Sequence, residues 1–360
     1  MKNVFGNTLT VTLFGESHGN AIGAVIDGLA PGMTVDEDYI RALLSRRRPA
    51  GNISTPRRET DPFVLESGVF EGKTTGTPVC ILIPNGDTRS GDYAATRFLA
   101  RPSHADYTAY CKYHGYEDYR GGGHFSGRIT AALVAAGGIV LPALQKKGIR
   151  IGTHIRRCAG IADREFGDLT ADIDRLNGMN FAVLDEDKGE DMMAAIRAAG
   201  GAGDSVGGVL ETAVTGLEAG LGEPWFDTME SVLAHALFAV PAVKGVEFGA
   251  GFALSDMTGS TANDPFRVEN GRVQTITNNS GGINGGITNG MPVIFRCAMR
   301  PTPTVRVKQN TVDFQSNENA VLAAAGRHDP CIVPRAVPVI EAAAAIAVFD
   351  ALLDKGDIER

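Results

Sequence analysis

The chain has 360 residues, of which 43% are hydrophobic, and it carries a formal net charge of -8 at pH 7. This length and hydrophobic share suffice for one large core or two ordinary ones, and they exclude a disordered or fibrous protein. Because nucleic-acid binding usually needs a broadly basic face, the acidic balance disfavours it, and the clustered arginines instead predict a local pocket for a small anion.

The pattern of apolar and turn residues predicts an alternation of strands and helices along the whole chain. In chain order we expect strands at 8–14 and 21–27, a helix at 35–48, strands at 63–70 and 77–83, helices at 104–113 and 127–145, a strand at 149–158, helices at 171–176, 191–199 and 226–238, strands at 243–248, 291–299 and 304–307, and helices at 318–325 and 335–353.

Several of these predicted helices have recognisable ends. Thr34 and Glu37 have the spacing of a capping box at the start of the first helix. Ser103 is expected to cap the second helix, which would leave His104 exposed at its start. Pro142 is expected to end or kink the third helix, because proline lacks the amide hydrogen that a helix interior requires.

A faint internal repeat suggests how these elements are organised. Gly15-Glu16-Ser17 recurs 188 residues later as Gly203-Asp204-Ser205, and in both copies further glycines follow at identical spacing. Such self-similarity predicts an α+β fold in which antiparallel sheets flanked by helices form one compact β-α-β sandwich of two pseudo-symmetric halves, residues 1–187 and 188–360. We expect residues 1–360 to form a single domain. The alternative is a chance match of common residues.

The cysteines and the apolar stretches bear on the cellular setting. The five cysteines are scattered and form no C-x-x-C pair, which argues against a disulfide framework or a zinc site and predicts a reducing cytoplasm. Residues 1–14 lack the layout of a signal peptide. The uncharged stretch at 129–145 is shorter than the roughly 20 residues of a membrane span. We therefore expect no bound metal and no membrane association.

A triple-glycine loop, Gly121-Gly122-Gly123, precedes the alanine-rich third helix. Glycines let backbone N–H groups approach a ligand closely, and the start of a helix would direct its positive dipole end to the same point. Arg120 and Arg128 flank the loop, and guanidinium groups suit bidentate recognition of phosphate or carboxylate. The loop therefore predicts a phosphate site, although a simple tight turn would have the same sequence.

Two of the seven histidines stand in contexts suited to proton transfer. His18 follows Ser17 in the turn between the first two strands, and His104 lies between Arg101 and Asp106. Imidazole titrates near neutral pH, and anionic ligands would favour its protonated form. A structural or surface role is the alternative for each. The remaining histidines are interpreted as packing, solvated or intermediate residues: His114, His124, His154, His235 and His328.

Taken together and in order, many segments resemble those of the chorismate synthase family. The matching segments are 14–19, 46–49, 68–76, 101–107, 119–123, 203–205, 242–247, 281–286 and 326–331. The resemblance implies a lyase that converts 5-enolpyruvylshikimate 3-phosphate to chorismate by 1,4-anti elimination of phosphate, with reduced FMN as cofactor and no net redox change. A substrate with one phosphate and two carboxylates agrees with the abundance of clustered arginines.

The resemblance also implies roles for individual residues. It assigns protonation of the reduced flavin to His18, assistance to phosphate departure to His104, and help in transferring the ring proton to flavin N5 to Asp329. The implied substrate-binding residues are Ser17, Arg46, Arg47, Arg128 and Arg327. The implied cofactor-binding residues are His124, Phe125, Ser126, Ala242, Gly285, Arg300, Pro301, Thr302, Pro303, Thr304 and Arg327. The chain departs from the family pattern after the triple glycine, where His124-Phe125-Ser126-Gly127-Arg128-Ile129 stands in place of Arg-Ser-Ser-Ala-Arg-Glu, and at Ile53 and Pro241.

Two other functions would use some of the same features. A flavin-binding electron carrier could hold FMN phosphate with glycine loops and arginines, but it would not need two histidines in anion-rich surroundings. A kinase fits poorly because no G-x-x-x-x-G-K-[ST] motif is present. The family resemblance further implies a homotetramer, with NADPH or an external flavin reductase as the source of reduced flavin.

Overall fold

Two five-stranded antiparallel sheets frame the computed structural model, which describes residues 3–49, 51–54, 60–86, 96–323 and 329–358. The strands up to residue 84 are β1 (Val4–Phe5), β2 (Thr10–Gly15), β3 (Ala21–Asp27), β4 (Val64–Ser67), β5 (Val69–Phe70), β6 (Lys73–Thr74) and β7 (Val79–Pro84). The later strands are β8 (Arg150–Cys158), β9 (Ile161–Ala162), β10 (Gly208–Thr215), β11 (Val243–Phe248), β12 (Phe266–Glu269), β13 (Arg272–Thr275), β14 (Ile283–Asn284), β15 (Ile287–Thr288), β16 (Val293–Met299), β17 (Gln309–Asp313) and β18 (Glu318–Leu322).

Helices cover the sheets and join them. They are α1 (Glu37–Arg47), α2 (Asp106–Tyr113), α3 (Thr130–Lys146), α4 (Leu169–Asn177), α5 (Glu186–Gly201), α6 (Met229–Phe238), α7 (Gly259–Ala262) and α8 (Val333–Lys355).

The two sheets share the order of four of their five strands, β2-β3-β7-β4 in the first and β8-β10-β16-β11 in the second, and differ in the edge strand. The first runs β1-β2-β3-β7-β4 and the second runs β9-β8-β10-β16-β11, and each set of strands is followed by a long helix, α3 or α8. This arrangement confirms the predicted α+β fold with two pseudo-symmetric halves. By strand order the second half begins at β8, because α4 and α5 are inserted between its first two long strands. A constant offset of 188 residues therefore aligns β3 with β10 but not β2 with β8. The assignment of residues 1–360 to one domain stays a prediction.

The halves meet where α3 crosses α8. A Cβ added to Gly137 of α3 would lie 2.4 Å from the Cβ of Ala342 in α8, and one added to Gly138 would lie 2.9 Å from Ile40 of α1. Small residues thus allow three helices to pack at short distance. Pro142 does not end α3, which continues to Lys146.

Two helical stretches are apolar and long enough to cross a membrane, so the expectation that 129–145 is too short was wrong. They are Gly127–Lys146 and Val333–Lys355, and 72% and 94% of their apolar windows are buried inside the protein. Their burial against the sheets and against each other accounts for their composition.

The last helix also fixes the beginning of the chain. The carboxylate of Asp350 in α8 accepts hydrogen bonds from the backbone amides of Asn7, Thr8 and Leu9, at 2.9, 2.9 and 2.7 Å. Burial raises the pKa of Asp350, and the three amide hydrogen bonds only partly oppose that shift. The start of β2 is therefore tied to the C-terminal part of the fold.

Several predicted elements differ from the structure. Residues 304–307 form no strand, and 318–322 form strand β18 where a helix was predicted. β18 pairs with β17 through a tight turn in which Asn317 has φ of 59°. Asp36 caps α1 where Thr34 was expected, because the side chain of Asp36 accepts from the amide of Tyr39 at 2.9 Å.

Candidate active site

The triple-glycine loop lies between the rings of His18 and His104. A Cβ on Gly121 would lie 2.1 Å from the His18 ring, and one on Gly122 would lie 3.1 Å from the His104 ring. Both glycines have positive φ, 61° and 92°. Only glycine leaves this space at this backbone conformation, so the two imidazoles pack against neighbouring residues of one loop.

The sequence predicted that the triple-glycine loop lies at the start of a helix, but it does not. Arg120–Phe125 and Gly127–Ile129 form short 3-10 turns, and α3 begins only at Thr130. The expected convergence of the triple glycine with a helix dipole was therefore wrong. The carbonyl of Gly123 instead accepts a hydrogen bond from the amide of Ser17 at 3.1 Å, which holds the loop against the turn between β2 and β3.

A folded turn holds His104 beside Asp106. Nδ1 of His104 lies 2.9 Å from Oδ1 of Asp106, and Nη2 of Arg101 lies 2.6 Å from the same oxygen. Ser103 has φ of 58° and does not cap α2; the N-cap residue is Ala105, which makes no side-chain hydrogen bond to the helix. His104 was expected to be exposed at a helix start, but only 16% of its side chain is exposed.

These contacts shift the titration of both residues. Burial is the largest influence on the pKa of His104 and lowers it; the hydrogen bond to Asp106 opposes this, while Arg101 and Arg300 add to it. Burial acts in the opposite direction on Asp106, but hydrogen bonds from Arg101 and His104 outweigh it and hold the pKa of that carboxyl well below its usual range. At pH 7 the pair is therefore a carboxylate beside a mainly neutral imidazole.

A cavity of about 820 Å³ opens on one side of His104. Its walls are largely apolar and include Val11, Leu133, Ala239 and Ile346. The predicted cofactor-binding residues among its lining are His124, Phe125, Ser126, Ala242 and Arg300. An apolar pocket of this size with a few polar groups is typical of a site for a cofactor or another small molecule.

A smaller cavity, of about 240 Å³, adjoins the first and is rich in arginine. Its guanidinium groups come from Arg47, Arg101, Arg128, Arg300 and Arg335. It also brings together Asp329, Thr302, Pro303 and Thr304. The residues that line both cavities include His104, Phe125, Ser126, Thr130, Ala242 and Arg300. His104 thus lines both a largely apolar cavity and an arginine-rich one.

Buried hydrogen bonds hold two of these arginines in place. Arg47 is 3% exposed; it donates to Thr130 Oγ1 at 3.0 Å and to the carbonyl of Gly127 at 2.9 Å. Its Nη1 lies 3.5 Å from Asp61, which also accepts from Arg128. One carboxylate therefore partly neutralises two guanidinium groups at the edge of the smaller cavity.

Arg300 and Thr302 are different, because both line the smaller cavity and neither side chain has a polar partner among the described residues. Within the described ranges the side chain of Arg300 makes no hydrogen bond or ion pair, and burial lowers its pKa. The hydroxyl of Thr302 is buried and, among the described residues, also lacks a partner. Buried polar groups of this kind are costly unless a bound molecule satisfies them.

A family model described as "Chorismate synthase" matches residues 9–353. The chain belongs to the chorismate synthase family. It is 48% identical over 353 residues to a chorismate synthase of Thermococcus gammatolerans, with 97% of each chain covered. It is 44% identical over 358 residues to one of Archaeoglobus fulgidus, with 99% of each covered. A structure titled "Crystal Structure of Chorismate Synthase" is similar, with a TM-score of 0.77 and 28% identity, covering 97% of this chain and 93% of that one. The chain is therefore an enzyme of the lyase class and a chorismate synthase by family.

Not every residue matched to the family motifs reaches a cavity. Among the described residues, five predicted site residues do not line either cavity. They are Ser17, His18, Arg46, Gly285 and Pro301. Gly285 lies in the turn between β14 and β15, and the guanidinium of Arg46 is bound to Glu341. Arg327 lies outside the described residues.

The sequence analysis missed several residues that the fold brings to the chorismate synthase site. Asp61 and Arg335 had no role assigned, and Arg101 and Asp106 were noted only as neighbours of His104. Arg335 donates to Asp329 and, at 2.9 Å, to the carbonyl of Arg47. The spacing of Arg101 and Asp106 around a histidine was a usable signal. Asp61 offered none, because its partners are far away in the chain.

A second buried histidine lies outside the cavities. Nδ1 of His154 is 2.8 Å from Asp163 and Nε2 is 2.9 Å from Glu211, and the His154 side chain is fully buried. Burial lowers its pKa, but the two carboxylates outweigh burial and raise it. Of the two roles predicted for His154, packing or solvated, the fully buried side chain excludes the solvated one, and its two carboxylate partners make it the centre of a buried ion cluster.

Proposed function

We propose that the enzyme catalyses the 1,4-anti elimination of phosphate from 5-enolpyruvylshikimate 3-phosphate, with reduced FMN bound beside the substrate. The observation that carries this proposal is the position of His104 on the wall shared by the two cavities. The larger space suits a flat aromatic ring system, and the smaller space suits phosphate and carboxylate groups.

The larger cavity fits FMN by its volume and by its chemistry. Apolar side chains such as Leu133 and Ile346 would cover the ring, while the polar groups of the cavity include Ser126, Lys244 and Arg300. When bound, reduced FMN supplies the electron-rich ring on which the elimination depends. The chain's own contribution is to hold that ring in a mostly dry space next to the substrate and to exclude water from it.

Substrate anions would be bound by the arginines of the smaller cavity. Arg47, Arg101, Arg128 and Arg335 are paired with carboxylates of the protein, which orients their guanidinium groups but reduces their charge. Arg300 has no such partner among the described residues, so we assign to it the strongest new contact with a ligand phosphate. A charge-assisted bond of this kind contributes about 1.5–3 kcal/mol.

His104 would assist the departing phosphate as a general acid. Its imidazole is close enough to Arg300 for that guanidinium to lower its pKa, so an anion held by Arg300 would be near the ring and would shift the pKa upwards again. Binding of the phosphate therefore favours the protonated form of His104, which is the form that can donate a proton to the departing phosphate.

The other two predicted catalytic residues stand differently toward the cavities. Asp329 lines the smaller cavity, where Arg335 donates to it, and we assign to its carboxylate a role in accepting the substrate ring proton. His18 lies behind Gly121, with its Nδ1 3.2 Å from Ser17 Oγ. We assign to His18 the role of setting the protonation state of the bound flavin, which it would influence from the other side of the glycine loop.

The direct test is an anaerobic assay with reduced FMN and 5-enolpyruvylshikimate 3-phosphate. We expect stoichiometric release of phosphate and appearance of chorismate, with no net oxidation of the flavin. If FMN binds but neither product forms, the lyase reaction is refuted and a flavin-binding electron carrier is the better description.

We further propose that the enzyme acts in the cytoplasm as a homotetramer and depends on an external reductase for its flavin. Anaerobic NADPH oxidation with free FMN tests the last point, because a self-reducing enzyme would consume NADPH without a second protein. Sedimentation analysis tests the assembly state, and a monomer would refute that part of the proposal.

A further inference from the structure

Asn85 directly follows strand β7 and lies beside the turn that carries His18. Strand β7 pairs antiparallel with β3, and Pro84 lies opposite Ala21 in that ladder. The next residue along the chain, Asn85, therefore reaches the residues that precede β3, and its backbone amide donates to the carbonyl of Asn20 at 3.0 Å. The register of the first sheet thus places an amide side chain at the turn between β2 and β3.

The NH2 group of Asn85 closes this turn. Nδ2 donates to the carbonyl of Glu16 and to the carbonyl of Gly19, each at 2.9 Å. The two acceptors lie on either side of Ser17 and His18 in the chain, so one side chain joins the two ends of the segment that carries the histidine. An amide nitrogen has two hydrogens, and both are used here.

The oxygen of the same amide faces an arginine of the smaller cavity. Oδ1 of Asn85 accepts a hydrogen bond from Nε of Arg128 at 3.1 Å. Because carbonyls only accept and guanidinium groups only donate, these three contacts determine which end of the amide is the nitrogen. Arg128 is also held by Asp61 and by the carbonyl of Pro84. These two contacts of Arg128 do not depend on Asn85.

From these contacts we infer that Asn85 is a positioning residue, which fixes the turn that carries His18 relative to the guanidinium of Arg128. The binding of the substrate anion by Arg128 and the action of His18 on the flavin belong to the proposed function, so the catalytic part of the inference rests on it. The anchoring of the turn does not, because it depends only on hydrogen bonds within the protein.

Asn85→Ser is the main test, because it shortens the side chain without adding a charge. A hydroxyl has one hydrogen, so serine can donate to at most one of the two turn carbonyls. Displacement of a group in an active site by about 1 Å can reduce the rate about 100-fold. We expect a loss of about 10- to 100-fold in turnover. The KM for the phosphorylated substrate should change by less than about threefold, because Arg128 keeps its other contacts.

Asn85→Asp separates the two ends of the side chain. The carboxylate keeps an oxygen for Arg128, but its second oxygen would face two carbonyl oxygens and could not donate to them. We expect turnover to fall as in Asn85→Ser. An Asn85→Asp variant with wild-type turnover would mean that only the contact with Arg128 matters, and it would overturn the inference even if Asn85→Ser does not fold.

A double variant distinguishes the positioning of His18 from a merely structural role. If Asn85 acts through His18, Asn85→Ser should add little to the loss of turnover caused by His18→Gln, whereas losses from independent sites multiply. Multiplied losses would overturn the positioning role. Full activity of His18→Gln would overturn it as well, since the turn would then carry no group that needs to be positioned.

Asn177→Ser is the matched control. Nδ2 of Asn177 also donates to a backbone carbonyl, that of Ile151 at 3.2 Å, but the residue lies outside both cavities. We expect this variant to keep wild-type turnover, so that the loss in Asn85→Ser is not the general cost of removing an asparagine that binds a carbonyl.

Hydrogen exchange measures the anchoring without ligand or turnover. The amide of Gly19 donates to the carbonyl of Glu16 at 3.0 Å within the turn. Deuterium uptake by a peptide that covers residues 16–20 is measured by mass spectrometry. We expect it to be about tenfold faster in Asn85→Ser than in the wild type or in Asn177→Ser, because the turn opens more often. Equal uptake would overturn the anchoring, whatever the activity.

The two proposals fail in different ways. If the wild type releases no phosphate, the lyase reaction is refuted, while faster exchange in Asn85→Ser still supports the anchoring of the turn. An active wild type whose Asn85→Ser variant keeps both its exchange rate and its turnover refutes the role of Asn85 and leaves the reaction intact.

Discussion

The guanidinium of Arg46 donates two hydrogen bonds to the carboxylate of Glu341, at 2.7 and 3.1 Å, and so joins α1 to the buried helix α8. The two side chains are only 12% and 2% exposed. Family resemblance assigns Arg46 to the substrate, but within the described ranges this side chain does not line either cavity. We therefore expect its first contribution to be to stability.

Removing the charge of Glu341 tests that expectation. In Glu341→Gln the buried guanidinium of Arg46 loses its counter-ion, and such a loss typically costs about 3–5 kcal/mol in the free energy of unfolding. Urea denaturation measures it. Glu37→Gln is the control, because Glu37 pairs with Arg41 on the exposed face of α1 and surface pairs contribute little. Equal effects of the two substitutions would contradict a structural role for the buried pair.

Arg47→Ala is expected to have two separable effects. It removes a ligand-facing guanidinium, which weakens binding of the phosphorylated substrate, and it leaves the fully buried Asp61 with one counter-ion fewer, which lowers the melting temperature. Calorimetric titration and thermal unfolding measure the two effects. Arg41→Ala, on the exposed side of the same helix, should change neither. Unchanged substrate affinity in a folded Arg47→Ala would remove Arg47 from the binding site.

For His104→Ala we expect retained FMN affinity and a loss of about 10² to 10⁴ in turnover, the usual contribution of general acid assistance. Fluorescence titration of FMN and the anaerobic phosphate assay measure the two quantities. His114→Ala is a suitable comparison, because His114 ends α2 and does not line the cavities. Near-normal turnover of His104→Ala would exclude this residue from the mechanism.

The buried cluster around His154 predicts a pH dependence of stability. The carboxylates raise the pKa of His154 in the folded state above its unfolded value of about 6.5. The folded protein then binds the extra proton, so this contribution is complete below pH of about 6.5 and declines as the pH rises through the folded pKa. The pKa of His104 is lowered in the folded state, so its contribution to the pH dependence of stability has the opposite sign and falls below pH of about 6.5.

Urea midpoints of the wild type and His154→Gln, measured from neutral to alkaline pH, check this prediction. The wild type should lose stability as the pH rises, and the variant should lose less over the same interval. Identical slopes would show that His154 is neutral in the folded protein.

The crossing of α3 and α8 is expected to tolerate no added atoms. Gly137→Ala would bring a methyl group to 2.4 Å from Ala342, and overpacking of this kind costs about 1–3 kcal/mol. Gly201→Ala in α5 is the matched control, because nothing lies within 4 Å of the added atom and alanine favours helix. A Gly137→Ala variant as stable as wild type would mean that the helices can separate without cost.

The prediction of secondary structure succeeded where the local pattern and the long-range packing agree. Helices α3 and α8 were predicted from their apolar composition. Strand β3 was predicted from its apolar residues between two turns. Strand β18 was missed because residues 318–325 contain good helix formers. Pairing with β17 supplies hydrogen bonds that outweigh this local preference, and a sequence pattern cannot display that pairing.

The site divides in the same way. The motif around His104 and the triple glycine are contiguous in sequence, and their physical roles can be anticipated from a short segment. Asp61 accepts from Arg128, 67 residues away, and Arg335 donates to the carbonyl of Arg47, 288 residues away, as well as to the nearby Asp329. The two long-range pairs form only when distant parts of the chain pack together, and a local sequence pattern cannot display such pairs.

The carboxylate of Asp350, which receives the amides of Asn7 to Leu9, also has a consequence for the order of folding. These contacts span 341 to 343 residues, so the amides of Asn7, Thr8 and Leu9 cannot complete these hydrogen bonds until α8 has been translated. The edge of the first sheet must therefore wait for α8 during synthesis, and closure of the native state depends on that helix.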